Sequence, residues 1–230
     1  MYTALITGTN RGIGLELATQ YARAGWRVFA TCRKPQTASA LKVLQRQYPE
    51  TLFIERLDVA NHAQIERLGS RLKGEAIDLL INNAGWSERC ADLADVRYKP
   101  WERALRVNTF ATLKMAQVFL DHVAKSKKRT IVTISSEMGS INENTNGTRY
   151  AYRVSKAAVN MVVKTLSVDL LPRKIKVVSL HPGWVKTALG GPDALLTKTE
   201  SVNGLRSVIE GLTLADSGRF LSYDGKEIPW

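Results

Sequence analysis

Short apolar segments alternate along this chain with longer segments in which apolar residues recur every three or four positions. Several of the short segments carry apolar, often β-branched, side chains at successive positions, which is typical of strands covered by helices on both faces. They predict seven strands, over residues 2–7, 26–31, 52–57, 77–82, 129–135, 175–180 and 219–221. The longer segments predict six helices, over residues 12–24, 37–47, 62–73, 100–125, 150–171 and 201–214.

This alternation predicts an α/β protein with a mostly parallel, seven-stranded sheet and helices on both faces. No proline-rich or serine-rich linker and no internal repeat divides the sequence, so residues 1–230 are expected to form one doubly wound domain. In such a domain, ligands bind beyond the carboxyl ends of the strands. Functional residues are therefore expected at that edge of the sheet.

The charge of the chain raises the question of an anionic partner. Its 33 Lys and Arg residues exceed its 21 Asp and Glu residues, which gives a net charge of +12. Such a surplus suits nucleic acid, membrane lipid or a phosphorylated cofactor. The two cysteines, Cys32 and Cys90, form no Cys-x-x-Cys pair, which favours a reducing compartment and no structural metal. Because the sequence has no signal-peptide pattern and no apolar run of roughly 20 residues, we expect a cytoplasmic protein without a membrane partner.

A glycine-rich turn, Thr7-Gly8-Thr9-Asn10-Arg11-Gly12-Ile13-Gly14, follows the first predicted strand and opens the first predicted helix. Glycines at such a turn let the backbone approach a pyrophosphate, and the free amides at a helix N-terminus attract anions. An ordinary strand-to-helix loop is the alternative, and the spacing G-x-x-x-G-x-G differs from the commoner G-x-G-x-x-G. Three glycines at the first turn of a seven-strand pattern nevertheless favour dinucleotide binding.

Four motifs in this order resemble those of the short-chain dehydrogenase/reductase family. They are the glycine-rich turn, Asn82-Asn83-Ala84-Gly85, Tyr152-Arg153-Val154-Ser155-Lys156 and His181-Pro182-Gly183-Trp184-Val185-Lys186-Thr187. The closing stretch, 217–230, is similar to that of the small carbonyl reductases grouped with sniffer and the bacterial C-factor. The resemblance extends from residue 3 to residue 230 and implies a Rossmann fold and a nicotinamide cofactor. It also implies a homodimer or homotetramer in which the helices 100–125 and 150–171 pair across subunits, although Met161, Val162 and Leu166 could face the sheet instead.

Tyr152 and Lys156 stand four residues apart on a predicted helix, so both side chains project from one face. The nearby ammonium is expected to lower the pKa of the phenol, and Tyr152 then donates a proton to a carbonyl oxygen during hydride transfer. The resemblance implies that Lys156 also binds the nicotinamide ribose. It further implies that Asn108 bends its helix and holds a water that connects Lys156 to solvent. The alternatives are an exposed tyrosine–lysine pair on an ordinary helix and a solvent-facing asparagine.

A serine hydroxyl directly after the fifth predicted strand completes this set. Ser136 is expected to hydrogen-bond the substrate oxygen and to stabilise the charge that develops on it. It precedes Tyr152 by 16 positions, whereas the common family spacing of 13 falls on Gly139. We attribute the difference to a longer loop over residues 142–147, and Ser140 is the alternative.

The residue after the second predicted strand bears on the choice of cofactor. An acidic residue there binds the ribose 2′-hydroxyl of NAD, whereas an arginine accommodates the 2′-phosphate of NADP. This chain has Arg33 without a nearby carboxylate, and Arg11 resembles the family's NADP-preferring members. NADP(H) is therefore expected over NAD(H), with two solvated arginines as the alternative. The resemblance also assigns Asp58 to the adenine amino group, with capping of the next helix as the alternative.

The predicted site is a cofactor cleft with a short substrate lid. Its predicted cofactor-binding residues are Gly8, Asn10, Arg11, Gly12, Ile13, Gly14, Arg33, Asp58, Val59, Asn83, Ala84, Gly85, Tyr152, Lys156, Pro182, Gly183, Val185 and Thr187. The family's lid corresponds to residues 188–200, a stretch short enough to leave a small, open pocket for an aldehyde, ketone or quinone. Trp184, Trp86 and Met138 either line that pocket or belong to the core. The sequence thus predicts an NADPH-dependent carbonyl reductase.

Three other functions fit parts of the sequence. The resemblance to C-factor allows an NADP(H)-binding signalling or regulatory protein with little turnover, against which the complete set Asn108, Ser136, Tyr152 and Lys156 argues. A nucleic-acid binder would use the basic cluster within 125–129, but a solvated charge run explains that cluster and no nucleic-acid partner is expected. Epimerases also use Tyr-x-x-x-Lys, yet they carry a larger C-terminal domain than this chain has room for.

Overall fold

The computed structural model describes residues 1–88 and 92–230, and these contain a seven-stranded sheet. The strands are β1 Thr3–Thr7, β2 Arg27–Cys32, β3 Leu52–Arg56, β4 Leu79–Asn82, β5 Thr130–Ile134, β6 Lys176–His181 and β7 Phe220–Ser222. Their order is β3-β2-β1-β4-β5-β6-β7, and every neighbouring pair is parallel. The chain winds one way from β1 to β3 and the other way from β4 to β7, which leaves a crevice between β1 and β4.

Seven α-helices of the described residues surround this sheet. They are α1 Gly12–Arg23, α2 Ser39–Gln47, α3 His62–Arg71, α4 Tyr98–Ala104, α5 Ala111–Ala124, α6 Tyr150–Asp169 and α7 Lys198–Gly211. The predicted α/β fold with seven strands is confirmed. The single helix predicted over 100–125 is instead α4 and α5 joined by a π-helical turn, Leu105–Phe110. Cys90 lies outside the described residues.

The core consists of two apolar layers, one on each face of the sheet. Ile6 of β1 packs with Leu17 of α1 and Leu205 of α7 on one face. Its neighbour Leu5 packs with Phe119 of α5 on the other face, because successive side chains of a strand point to opposite sides. Both faces are therefore apolar, which explains the continuous apolar runs in the sequence.

Two element boundaries differ from the prediction for identifiable reasons. β4 begins at Leu79, after Asp78, whose carboxylate accepts hydrogen bonds from the backbone amides of Thr3 at the start of β1 and of Lys127 before β5. Helix α7 begins three residues earlier than predicted, because Thr197 and Glu200 form a reciprocal capping box at its N-terminus. Within the part of the chain that the structure describes, no helix is both long and apolar enough to cross a membrane.

Candidate active site

A cleft of about 640 Å³ lies at the carboxyl ends of the strands and extends along the N-terminus of α1. It contains most of the predicted site in one place. The predicted residues that line it are Gly8, Asn10, Arg11, Gly12, Ile13, Gly14, Arg33, Asp58, Val59, Asn83, Ala84, Gly85, Tyr152, Lys156, Pro182 and Thr187. Four predicted residues do not line the cleft, namely Gly183, Val185, Ser136 and Asn108. Of these, Val185 is buried.

The glycine-rich turn approaches its neighbours so closely that side chains are excluded at two positions. Gly8 has a φ of +73°, and a Cβ there would lie 2.9 Å from the Cα of Ala84. A Cβ at Gly14 would collide with the carbonyl oxygen of Gly8. The turn thus presents bare backbone at the start of α1, as a pyrophosphate site requires.

Thr7 is a site residue that the sequence analysis missed. Its hydroxyl oxygen accepts hydrogen bonds from the backbone amides of Asn83 and Ala84, each at 3.0 Å. The side-chain amide of Asn83 in turn donates to the carbonyl oxygen of Thr7 at 2.8 Å. These bonds fasten the glycine-rich turn to the turn after β4. The sequence feature that could have identified Thr7 is its position directly before Gly8, the first glycine of the turn.

The cleft is strongly positive. Among the charged side chains that the described residues contribute to it, one is anionic, Asp58, and six are cationic, namely Arg11, Arg33, Arg103, Lys156, Lys186 and Lys198. Arg11 and Arg33 are both exposed, and neither takes part in the ion pairs formed among the described residues. Their guanidinium groups therefore remain available to an anion.

Asp58 lies on the cleft wall rather than at a helix cap. Its carboxylate accepts a hydrogen bond from the backbone amide of Ala60 at 3.1 Å, which closes a tight turn. The helix cap is Asn61, whose side chain accepts from the amide of Gln64. The capping alternative for Asp58 is therefore wrong.

Tyr152 and Lys156 are both buried, at 7% and 5% exposure, on α6, which packs against β6 and the turn after β5. The Lys156 Nζ donates to the carbonyl oxygen of Ile134 at 2.8 Å and lies 5.7 Å from the centre of the Tyr152 ring. Burial raises the pKa of Tyr152, and a hydrogen bond with Ser136 and the charge of Arg149 oppose that rise. Burial also lowers the pKa of Lys156 to about 8.

The expected lowering of the Tyr152 pKa by Lys156 is therefore wrong. Removal from water disfavours the phenolate and the ammonium alike, and Lys156 is not among the groups that lower the pKa of Tyr152. The lysine is also bonded to the end of β5 rather than to the phenol. Tyr152 consequently keeps its proton at neutral pH.

The turn after β5 distinguishes the three candidate positions for the serine. Ser136 is close enough to Tyr152 to lower the pKa of the phenol, and its hydroxyl oxygen accepts a hydrogen bond from the amide of Met138 at 3.2 Å. Ser140 instead donates to the carbonyl oxygen of Pro229 at 2.6 Å, away from the tyrosine. At Gly139 a Cβ would lie 2.8 Å from the backbone carbon of Lys156, so this position holds the turn against α6.

Asn108 lies in the π-helical turn, so the bend implied by the resemblance corresponds to an extra residue in the helix. Its side-chain nitrogen donates to the carbonyl oxygen of Trp86 at 2.8 Å and to the hydroxyl of Ser155 at 2.9 Å. Its side-chain oxygen accepts from the amide of Trp86 at 2.8 Å. The asparagine therefore joins the turn after β4 to α6, beside the Tyr152–Lys156 pair.

The expected pocket residues are only partly at the cleft. Trp86 lines it, with the guanidinium of Arg103 over its ring at 5.0 Å. Trp184 is half exposed and donates from its indole nitrogen to the carbonyl oxygen of Gly190, and Met138 is not among the lining residues. The start of the expected lid, Ala188 and Leu189, does line the cleft.

A backbone cradle for phosphates, beside a buried tyrosine, serine and lysine, is what a nucleotide-dependent oxidoreductase requires. The chain belongs to the short-chain dehydrogenase/reductase family, because the family model described as short chain dehydrogenase matches residues 2–194. As expected of this family, it is an oxidoreductase with the Rossmann fold.

Individual relatives agree with this assignment. The chain is 45% identical over 154 residues to C-signal of Myxococcus xanthus, a match that covers 67% of this chain and 93% of that protein. Its structure is similar to that of the carbonyl reductase Sniffer of D. melanogaster, with a TM-score of 0.94 and 35% identity over the whole of both chains. It is also similar to the NADPH-bound carbonyl reductase from chicken fatty liver, with a TM-score of 0.91, 37% identity, and coverage of 100% and 99% of the two chains.

Proposed function

We propose that this protein is an NADPH-dependent carbonyl reductase that converts an aldehyde, ketone or quinone to the alcohol. The observation that carries the proposal is that the buried Tyr152 lines the same cleft as the glycine-rich turn, with Ser136 close enough to lower the pKa of its phenol. The similarity to two carbonyl reductases over their whole length supports it.

The residues of the cleft suit NADPH. The bare backbone at the start of α1 fits the pyrophosphate, and Arg11 and Arg33 fit the 2′-phosphate. Asp58 offers an acceptor to the adenine amino group, and Lys156 a donor to the nicotinamide ribose. The other proposed contacts are Val59, the turn Asn83-Ala84-Gly85, Tyr152 and the segment 182–187 after β6. When bound, the cofactor supplies the hydride.

In the proposed mechanism, the protein controls the proton. Tyr152 is protonated at neutral pH because burial raises its pKa, so it can donate its proton to the carbonyl oxygen as the hydride reaches the carbon. Ser136 donates a hydrogen bond to the same oxygen and stabilises the charge that develops there. Asn108 holds the turn after β4 against α6. The ammonium of Lys156 stabilises the phenolate that Tyr152 becomes once it has given up its proton.

The preference for NADPH over NADH is part of this proposal. It rests on two unpaired guanidinium groups at the cleft and on the absence of a carboxylate, among the described lining residues, other than Asp58. The chicken carbonyl reductase was crystallised with NADPH, which is consistent with the same cofactor here.

The decisive experiment follows NADPH oxidation by the purified protein with a panel of aldehydes, ketones and quinones. We expect turnover with at least one class and much slower turnover with NADH. A protein that binds NADPH but reduces no compound in the panel would instead favour a signalling or regulatory role, the second candidate. Its support is the 45% identity to C-signal.

We further propose a homodimer or homotetramer that uses the outer face of α5 and α6. Met161 is 67% exposed on α6, and Phe110 and Val154 are also exposed nearby, whereas Leu166 packs against the core. Light scattering after size exclusion should report a mass of two or four chains. A cytoplasmic location, a single domain over 1–230 and a lid over 188–200 stay predictions.

A further inference from the structure

One partly buried imidazole next to the proposed active site has no part in the mechanism above. His181 is the last residue of β6, and its side chain is 15% exposed. Its Nδ1 accepts a hydrogen bond from the backbone amide of Glu137 at 3.1 Å. Because Glu137 directly follows Ser136, this bond connects β6 to the segment that carries the serine.

The segment needs this acceptor because of its local structure. Residues Glu137–Gly139 form a 3₁₀ turn with Ser136 as its N-cap. The first amides of such a turn have no partner within the turn and require acceptors from elsewhere. Ser136 accepts from the amide of Met138 through its hydroxyl oxygen, and His181 accepts from the amide of Glu137. In the bond with Met138 the serine oxygen is the acceptor, so the Ser136 hydroxyl can still donate its own proton.

The imidazole has the right protonation state for this role. Since the amide of Glu137 donates to Nδ1, the proton of the neutral ring is on Nε2, which lies 3.8 Å from the carboxylate of the same glutamate. Lys156 and Asp224 are the other charged groups that act on the ring. Burial lowers the pKa of His181 to about 4, so Nδ1 stays an acceptor at neutral pH.

The far end of the turn is held independently from α6. The side-chain nitrogen of Asn160 donates to the carbonyl oxygen of Gly139 at 3.3 Å, and its side-chain oxygen accepts from the hydroxyl of Ser135 at 2.7 Å. Two elements therefore fix the turn, α6 through Asn160 and β6 through His181. Asn160 thus contacts residues 135 and 139, whereas His181 contacts Glu137, between Ser136 and the rest of the turn.

We propose that His181 is a positioning residue for the proposed reaction, which orients the hydroxyl of Ser136 by accepting from the amide of Glu137. This inference rests on the carbonyl reductase function proposed above. His181 acts through the serine and does not itself contact the carbonyl.

The test uses two substitutions of opposite hydrogen-bonding capacity. His181→Leu removes the acceptor, and His181→Asn returns an acceptor oxygen close to the position of Nδ1. His122→Leu is the matched control, because His122 is a half-buried histidine that contacts the carbonyl oxygen of Leu72, far from the cleft in the fold. Three experiments are done on each variant: steady-state kinetics for kcat and KM with the carbonyl, fluorescence titration for the Kd of NADPH, and amide hydrogen exchange of residues 137–139.

We expect His181→Leu to lower kcat roughly ten- to a hundredfold, since small displacements of a catalytic group have effects of this size. The Kd for NADPH should stay within about twofold of the parent value, because the glycine-rich turn and Arg33, which are proposed to bind the phosphates, belong to other elements. His181→Asn should recover most of kcat, and His122→Leu should retain it. Added to Ser136→Ala, His181→Leu should cause little further loss, since both changes disable the same hydroxyl.

Hydrogen exchange decides the inference even without turnover. If the parent protein reduces no carbonyl, the proposed function fails, but faster exchange at residues 137–139 in His181→Leu and parent-like exchange in His181→Asn would still support the positioning contact. Parent-like kcat and exchange in His181→Leu would overturn it. Equal impairment of the Leu and Asn variants, or a fully additive loss with Ser136→Ala, would overturn it as well.

Discussion

The ammonium of Lys156 is hydrogen-bonded to the carbonyl oxygen of Ile134, the last residue of β5, at 2.8 Å. The lysine of the Tyr-x-x-x-Lys motif is therefore anchored to the strand that leads into Ser136. The Lys156 Nζ lies 5.7 Å from the centre of the Tyr152 ring, and its buried surroundings disfavour a charge. The pair works as a buried unit joined to β5, and several measurable consequences depend on that burial.

Tyr152→Phe should abolish most of the reduction. Loss of the proton donor is expected to lower kcat roughly 10²- to 10⁴-fold, while the Kd for NADPH, measured by fluorescence, stays near the parent value. Tyr150→Phe is the matched control, because Tyr150 is more exposed and its fourth successor is Val154 rather than a lysine. Parent-like kcat in Tyr152→Phe would exclude the proposed proton donor.

Ser136→Ala and Ser140→Ala should have different effects. Removal of the Ser136 hydroxyl takes away a donor to the developing oxyanion and should lower kcat roughly 10²-fold or more. Ser140→Ala breaks the bond to the carbonyl oxygen of Pro229 and should lower the melting temperature more than kcat. Steady-state kinetics and thermal melts of both variants check this, and the reverse pattern would assign the role to Ser140.

Gly139→Ala should destabilise the protein. The new Cβ would lie 2.8 Å from the backbone carbon of Lys156, so the turn or α6 must shift. The free energy of unfolding, measured with urea, should fall by about 1–3 kcal/mol. Gly191→Ala is a useful comparison, since it has a positive φ but nothing within 4 Å of the Cβ position. A smaller loss at Gly139 than at Gly191 would contradict the close packing.

Arg33→Asp should change cofactor preference. Loss of a charge-assisted bond to the 2′-phosphate, worth about 1.5–3 kcal/mol, should raise the Kd for NADPH roughly tenfold or more and leave the Kd for NADH equal or lower. Lys34→Asp makes the same charge change at the neighbouring exposed position and should affect NADPH less. If Arg33→Asp kept the preference of the parent for NADPH, the assignment of Arg33 would fail.

Lys156→Met should alter the pH dependence of stability. The pKa of Lys156 is about 8 in the folded protein and 10.5 ordinarily, so between these pH values the unfolded chain binds more protons. The buried lysine therefore destabilises the parent fully below about pH 8, and this cost disappears as the pH rises to 10.5.

The stability of Lys156→Met relative to the parent should consequently be highest near pH 7 and should decline toward pH 10.5. Thermal melts of the cofactor-free proteins across that range measure the difference. Lys164→Met, on the same helix, is the control and should show no comparable trend, because Lys164 is exposed. A relative stability that does not change with pH would show that Lys156 titrates normally.

Much of the fold could be predicted from local pattern. Both ends of each of the seven predicted strands lie within two residues of the observed ends, because apolar runs and helical periodicity are local properties of the chain. The glycine-rich turn and the choice of Tyr152 over Tyr150 could also be predicted from the sequence, because both depend on residue type and spacing. At Asn108 the sequence predicted only a bend in the helix. It did not predict a π-helical turn, since Asn108 contacts Trp86 and Ser155, which are distant in the sequence.

The sequence by itself determined the elements, the family and the residues that gather at one edge of the sheet. Only the tertiary structure decided the direction of the Tyr152 pKa, the position of Ser136 rather than Ser140 beside Tyr152, and the contact of His181 with the amide of Glu137. The pKa depends on burial, which no local pattern measures. Ser136 and His181 depend on the pairing of β5 with β6, which brings Glu137 and His181, 44 positions apart, into hydrogen-bonding contact.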